Sequence, residues 1–385
     1  MNRYVKIFFS LLKLVTLPVL NFTTLFLGIK FYGKTNWGAF ISISIWVFFI
    51  AFIAKWAGQN YLMKEFSKNT SNYLNVFYSN FVERSVLLLP SVALFFVFPF
   101  PLAFAALVLL VLMYIYNSYD ALLVYNQKFE IQFVAEIIGV MLIFSGFLMF
   151  PVFNLMLIIY LFSFSYLVKS SILFLRFNHS FSKISIRFSF RNLLQTFPFF
   201  LIGFSGWLAS KCDIYVVSYF FSKKELSEYQ IFISCFLILQ AIPAYLILPI
   251  NTHLFRLSQH SINKIKGKLL LYSFPIILLF TILFWIVLDC FLDIQYSIPI
   301  YFFGALSTLP TFIYVVDVLL LYKQNKENYI MKCAFSVLLI TIILMLVLLP
   351  YFRILGVIIS VCVSQWLYLF FIIKENKNEK LKSLK

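Results

Sequence analysis

Apolar stretches long enough to cross a bilayer fill this chain of 385 residues and leave little sequence between them. A bilayer-spanning helix needs about 20 mostly apolar residues, because the hydrocarbon core is about 30 Å thick. A window of that length predicts twelve spans. They lie near 7–29, 37–54, 85–100, 102–123, 132–150, 155–175, 193–221, 229–251, 269–288, 298–321, 333–349 and 354–373.

Helices are the expected structure of these spans, since in lipid every backbone N–H and C=O must find its partner within the segment. A hydrophobic fraction of 63% and a mean hydropathy of +0.95 lie far outside the range of soluble domains. The sequence therefore predicts an all-α polytopic membrane protein, with no soluble domain of any size.

The basic residues are distributed unevenly between the two sides of the predicted topology. If the N-terminus is inside, 25 of the 31 Lys and Arg residues lie on the cytoplasmic side. The six on the other side are Lys30, Lys34, Lys211, Lys223, Lys224 and Arg353. This asymmetry follows the positive-inside rule and predicts that both termini are cytoplasmic. The net charge of +17 is then a topology signal, and nucleic acid is not an expected partner.

A weak internal repeat suggests that the chain consists of two similar halves. A shift of 192 residues lays Ala39–Ser42 on Ile231–Ser234 and Tyr61–Lys64 on His253–Arg256. Six spans per half is an even number, so both halves would share one orientation. We expect two six-helix bundles related by a pseudo-two-fold axis along the membrane normal. The predicted N-terminal bundle, basic cytoplasmic linker and C-terminal bundle with its short tail are residues 1–176, 177–192 and 193–385.

Ionisable residues inside spans are the main functional candidates, because each costs about 2.5–3.5 kcal/mol at a helix centre. Lys169, Asp120 and Asp317 lie within about two turns of the predicted cytoplasmic ends, where a side chain can reach water by snorkelling. We favour snorkelling for these three. Glu136 in the fifth span, with Gln132 one turn before it, is a candidate proton carrier.

The first span carries a lysine about two turns from its start. Lys13 shares one helical face with Ser10, Leu17 and Thr24, a stripe suited to lining a cavity. Snorkelling to the cytoplasmic surface is an equal alternative for this residue.

The seventh span has a polar stripe along one side, formed by Gln195, Gly206, Ser210 and Asp213. Asp213 would either pair with a cation across a cleft or sit at the outer interface. Lys211 projects about 200° away from that stripe on an ideal helix and is a weaker candidate for the same surface.

Signatures of enzymes and of metal or cofactor sites are absent from the sequence. There is no GxxxxGK[ST] loop, no HExxH and no GxSxG, and the three histidines lack metal-ligand spacing. The five cysteines show no CxxC spacing. We therefore expect neither catalysis, nor a cofactor, nor a metal.

Several segments resemble one family of transporters. They are Leu17-Pro18, the stretches Tyr32–Phe40 and Asn60–Ser67, and Cys212–Ser222 with Glu228-Tyr229. Together with the twelve-span plan, they are similar to the Wzx-type O-antigen flippases of the multidrug/oligosaccharidyl-lipid/polysaccharide superfamily. The chain departs from the usual pattern by having Glu-Tyr where Gly-Tyr is common before the eighth span.

This resemblance implies a cavity, lined with cations, that opens alternately to the two sides of the membrane. The implied substrate is an undecaprenyl-pyrophosphate-linked oligosaccharide destined for O-antigen, lipopolysaccharide or capsule, and the implied partners are membrane lipids and the polysaccharide polymerase machinery. Lys13 matches a region where the family places a cavity cation, and Asp213 matches an acidic position in the seventh span. A multidrug exporter of the same fold is the first alternative. A polysaccharide polymerase is disfavoured by the absence of a long outer loop.

Overall fold

The computed structural model of this chain describes residues 3–56, 61–63, 65–66, 72–177, 190–247, 259–324 and 326–383. Within those ranges the chain is helical and contains no strand. Fourteen helices carry the architecture. They are α1 (Arg3–Tyr32), α2 (Lys34–Lys55), α3 (Tyr73–Ser85), α4 (Leu94–Val97), α5 (Phe100–Ser118), α6 (Asp120–Tyr125), α7 (Phe129–Met149), α8 (Leu155–Phe177), α9 (Phe190–Ala209), α10 (Cys212–Phe220), α11 (Lys223–Ile247), α12 (Gln259–Ile286), α13 (Ile298–Lys323) and α14 (Glu327–Ser383).

These helices account for the twelve predicted spans. Nine segments among the described residues are long and apolar enough to cross a membrane, and one of them, Asn328–Asn376, has the length of two spans. That segment is broken at Arg353, whose backbone (φ 50°, ψ −131°) is not helical. Helix α1 and the pair α9–α10 carry the first and seventh spans.

The third span begins earlier than the sequence predicts. Helix α3 starts at Tyr73 and continues through a 3-10 stretch, Val86–Ala93, into α4, whereas hydropathy placed the span at 85–100. Arg84, which precedes the predicted span, is only 2% exposed. Its guanidinium donates to Asn80 Oδ1 at 2.8 Å and to the Lys55 carbonyl at 3.0 Å. Because these contacts satisfy the polar groups, a segment of low hydropathy is buried.

The seventh span is two helices rather than one. Helix α9 ends at Ala209, Ser210 and Lys211 form a turn, and α10 begins at Cys212. The single helix predicted over 193–221 is therefore wrong, and so is the angle of about 200° assigned to Lys211, because a helical wheel assumes uninterrupted rotation.

The chain forms two compact units, Met1–Gly203 and Phe204–Lys385. The start of α9 packs in the first unit, where the Trp56 indole N–H donates to the Leu193 carbonyl at 3.0 Å and its ring stacks on Phe200. Most of the predicted linker, 178–189, lies outside the described residues, so that division of the chain stays a prediction.

An aromatic cluster around Trp37 packs α1, α2 and α7 of the first unit together. Trp37 is fully buried and contacts Tyr32, Phe40 and Phe147. A Cβ atom on Gly28 would lie 2.4 Å from the Trp37 ring, so glycine is what allows α1 and α2 to approach here. This packing ties the first two spans to α7.

Candidate functional site

Two of the predicted site residues cannot be placed through their side chains. Lys13 lies within α1 and Gln195 within α9, but both side chains are outside the part of the chain that the structure describes. Their proposed roles remain predictions from sequence.

Helices α5, α7 and α8 of the first unit share a buried ion pair. Lys169 Nζ donates to Glu136 Oε2 at 2.8 Å, and the Tyr116 hydroxyl donates to Glu136 Oε1 at 2.6 Å. The ammonium group also lies over the Tyr166 ring, 4.6 Å from its centre. Lys169 is 6% exposed, so the snorkelling interpretation is wrong for this residue. A neighbouring carboxylate holds the lysine inside the bundle instead.

Glycine at position 139 makes this ion pair sterically feasible. A Cβ atom there would lie 2.0 Å from Lys169 Cε and 2.8 Å from Ser165 Oγ. The Ser165 hydroxyl uses the same gap to donate to the Gly139 carbonyl at 3.0 Å. The absent side chain thus lets α7 and α8 close around the lysine.

A second ion pair, between Lys55 of α2 and Asp120 of α6, contacts α7 one helical turn before Glu136. Lys55 Nζ donates to Asp120 Oδ2 at 2.9 Å, and the Gln132 amide donates to Asp120 Oδ1 at 3.1 Å. Gln132 and Glu136 are thus successive polar residues on one face of α7, and each contacts an ion pair. In both pairs a lysine balances the carboxylate, Lys55 for Asp120 and Lys169 for Glu136. Glu136 as a proton carrier stays a prediction.

The second unit contains a comparable ion pair, between α12 and α13. Lys266 Nζ donates to Asp317 Oδ1 at 2.5 Å, and the Asn376 amide in α14 donates to the same oxygen at 2.9 Å. Asp317 is buried whereas Lys266 is partly exposed. Asp317 thus joins three helices instead of extending alone toward water.

Asp213 differs from these carboxylates because no lysine or arginine among the described residues forms an ion pair with it. It is 4% exposed, so its side chain is buried within the protein. Its Oδ2 accepts from the Tyr229 hydroxyl at 2.6 Å, and its Oδ1 accepts from the Ile214 N–H at 2.9 Å. A buried carboxylate that has no ion pair favours a hydrogen-bond donor or a cationic group of a bound molecule.

Asp213 faces a cavity of about 520 Å³ inside the second unit. Five helices or helix pairs line this cavity: α9–α10, α11, α13 and both arms of α14. Its polar lining consists of Ser210, Asp213, Gln240, Tyr314, Thr341, Ser364, Gln365 and Tyr368. We call it the C-terminal cavity.

The structure brings part of the predicted stripe of the seventh span together on this wall. Gly206, Ser210 and Asp213 all line the C-terminal cavity, whereas Lys211 does not. The turn at 210–211 interrupts the helix between Gly206 and Asp213, and Lys211 lies in that turn, close enough to Asp213 for their charges to interact.

The sequence analysis missed the uncharged polar residues of the cavity. Gln240, Thr341, Ser364 and Gln365 come from three different spans and show no shared spacing. Tyr229, which bonds Asp213, appeared only as part of a resembling segment. An uncharged polar residue in a span is a weaker signal than a charged one, because it costs less to bury.

Comparisons with known proteins identify the fold. No family model matches the chain, and a search of curated proteins finds no relative. Among solved structures, a lipid II flippase, MurJ, in an inward closed conformation is similar with a TM-score of 0.74 at 15% identity, over 96% of this chain and 87% of that chain. A structure of MATE in complex with MaL6 gives a TM-score of 0.48 at 12% identity over 96% of each chain, a likeness too weak to support an argument.

The fold prediction is confirmed. The chain is an all-α, multi-pass membrane protein whose twelve spans form two six-helix bundles, a fold similar to that of the solved lipid II flippase.

Proposed function

We propose that this chain translocates undecaprenyl-pyrophosphate-linked oligosaccharides across the bacterial inner membrane, by alternating access, for the biosynthesis of O-antigen, capsule or a related polysaccharide. The observation that carries this proposal is the fold shared with a solved lipid II flippase over nearly the whole chain. The resembling segments described above favour the same class of substrate. The protein acts as a transporter rather than as an enzyme in this proposal, and its partners are membrane lipids and the polysaccharide polymerase machinery.

The physical problem of such transport is the polar head group. Moving an uncompensated hydroxyl or amide into hydrocarbon costs several kcal/mol, roughly 4–8 on the cyclohexane scale. A bundle that offers polar side chains inside the membrane lowers this cost, while the lipid tail stays in the bilayer. The C-terminal cavity has such a lining.

A multidrug exporter for organic cations is the second candidate. Asp213 favours it, because a buried carboxylate that faces a cavity without a paired lysine would attract a cationic ligand. The two candidates differ in what crosses the membrane, so one preparation can separate them.

Reconstitution into liposomes tests the proposal. The purified full chain is incorporated into vesicles that contain an undecaprenyl-pyrophosphate oligosaccharide with a fluorophore on its sugar, and an impermeant reductant is added outside. In protein-free vesicles the label in the inner leaflet stays protected from the reductant. We expect the protein to move this label to the outer leaflet, so that the fluorescence that survives reduction falls. The same vesicles loaded with ethidium should retain the dye. Ethidium release with no glycolipid movement would instead establish the exporter.

A further inference from the structure

We propose that the C-terminal cavity is a subsite for a sugar ring of the transported glycan, either neutral or amino-substituted, and that it excludes the pyrophosphate. This inference rests on the proposed function. It adds that the protein recognises the head group in the C-terminal cavity and through a sugar ring of the substrate. The cavity lies wholly within the unit Phe204–Lys385.

The charge of the lining argues against an anionic ligand. Among the described residues, no lysine, arginine or histidine lines the cavity, and Asp213 is the single ionisable acid there. A pyrophosphate requires cations or several N–H donors to offset its charge in a low-dielectric interior. The Asp213 carboxylate would repel it. The same carboxylate accepts hydrogen bonds from hydroxyl groups and attracts the ammonium group of an amino sugar.

The hydrogen-bonding groups complement a polyol. The side-chain amide of Gln240 lines the cavity and carries both a hydrogen-bond donor and an acceptor. Gln365 accepts from the Tyr314 hydroxyl at 3.2 Å, which orients its amide. Sugar hydroxyls also donate and accept, so each of these two amides can accept a hydrogen bond from one hydroxyl and donate a hydrogen bond to another.

The rest of the wall suits the apolar faces of a sugar ring. Tyr314 and Tyr368 meet edge to face, with their centroids 5.0 Å apart, and both line the cavity. Pyranose rings present C–H groups that pack against such aromatic surfaces. A volume of about 520 Å³ falls within the usual range of ligand sites, roughly 300–1,000 Å³. It suits part of a glycan head group rather than a lipid tail.

Binding measurements on the full chain in lipid nanodiscs test this subsite. The probes are undecaprenyl pyrophosphate and the same lipid carrying N-acetylglucosamine. The variants are Gln240→Met and Gln365→Met, which keep the side-chain volume but remove the amide. The matched control is Gln324→Met, because Gln324 is exposed and outside the cavity. Thermal unfolding of each variant confirms that it folds.

We expect each cavity variant to weaken binding of the glycosylated lipid about fivefold to tenfold, the effect of one or two lost hydrogen bonds. Binding of the bare pyrophosphate lipid should not change, nor should either lipid's binding to the control. Equal weakening for both lipids would overturn the inference, because the cavity would then serve the pyrophosphate or the shared lipid. Unchanged binding of the glycosylated lipid would also overturn it while leaving the proposed function intact. A wild-type chain that binds neither lipid would instead contradict the proposed function itself.

Discussion

The buried charges of this chain fall into two kinds. Glu136, Asp120 and Asp317 each have a lysine within ion-pair distance, so their charges are balanced inside their own bundle. Asp213 instead accepts hydrogen bonds from a tyrosine hydroxyl and a backbone N–H, and among the described residues no lysine or arginine forms an ion pair with it. Removing one partner of a buried pair is strongly destabilising, by about 3–5 kcal/mol. The paired residues are thus poor sites for functional tests, whereas a substitution of similar shape at Asp213 breaks no ion pair.

Asp213→Asn should lower glycan transport at least tenfold with a normal protein level. Asparagine keeps the shape of the side chain, and its carbonyl can still accept from Tyr229, so only the acceptor of the Ile214 N–H is lost. Complementation of a flippase-deficient strain, with surface glycan measured against protein by immunoblot, checks this. Asp293→Asn is the matched control, since Asp293 lies in a connection at φ 51°, a conformation that asparagine tolerates. Wild-type glycan in the Asp213 variant would contradict a role for the carboxylate.

Lys13→Ala should abolish surface glycan while the protein level stays normal, and Lys13→Arg should partly retain it. The reason is that a lysine attracting the pyrophosphate can be replaced only by another cation. Lys264→Ala, at an exposed position of α12, serves as the control and should have no effect. If Lys13 only snorkels, alanine will be tolerated at this position as well.

At the scale of elements, close helix approaches at glycine decide how the first bundle packs. Gly139 lets α7 and α8 meet around Lys169, and Gly28 lets α1 and α2 meet at Trp37. Neither residue is used for its backbone freedom, because neither has a positive φ angle. Both are sites where a side chain has no room.

Gly139→Ala should destabilise the protein by about 1–3 kcal/mol, because the new methyl group would displace Lys169 from Glu136. Gly267→Ala in α12 is the matched control. A Cβ atom at that position meets nothing within 4 Å, so this variant should be neutral or more stable by up to about 1 kcal/mol. Thermal unfolding of both variants in detergent measures the difference. Equal melting temperatures would mean that α7 and α8 can separate without cost.

At the scale of the whole molecule, the basic residues are expected to set the orientation of the chain. The predicted linker carries Lys183, Arg187 and Arg191 and should lie in the cytoplasm. Thiol labelling from one side of the membrane measures this orientation directly.

A cysteine at Ser182 should react with an impermeant thiol reagent only after the membrane is opened. The experiment uses a background in which the five native cysteines are replaced. Val152→Cys is the companion variant, because Val152 is exposed in a connection on the predicted outer side. It should react in intact spheroplasts. Labelling of position 182 before opening would refute the topology.

The fold class could be predicted from the sequence because hydropathy acts locally. Each span is apolar over its own length, so a bilayer selects a helix there whatever its neighbours do. The candidate charges could be found for the same reason, since any ionisable residue in a span is conspicuous. The polar stripe of the seventh span was also visible in the sequence, through Gly206, Ser210 and Asp213.

Only the tertiary structure decided what those charges do. Whether Lys169 snorkels or pairs depends on Glu136, which is 33 residues away on another helix, and on the gap at Gly139. The third span could not be delimited by hydropathy because Arg84 finds its acceptors on α2 and α3. The C-terminal cavity joins amides and hydroxyls from separate spans, and no local pattern links them. Pairing and cavities depend on distances between helices, and a sequence records only distances along the chain.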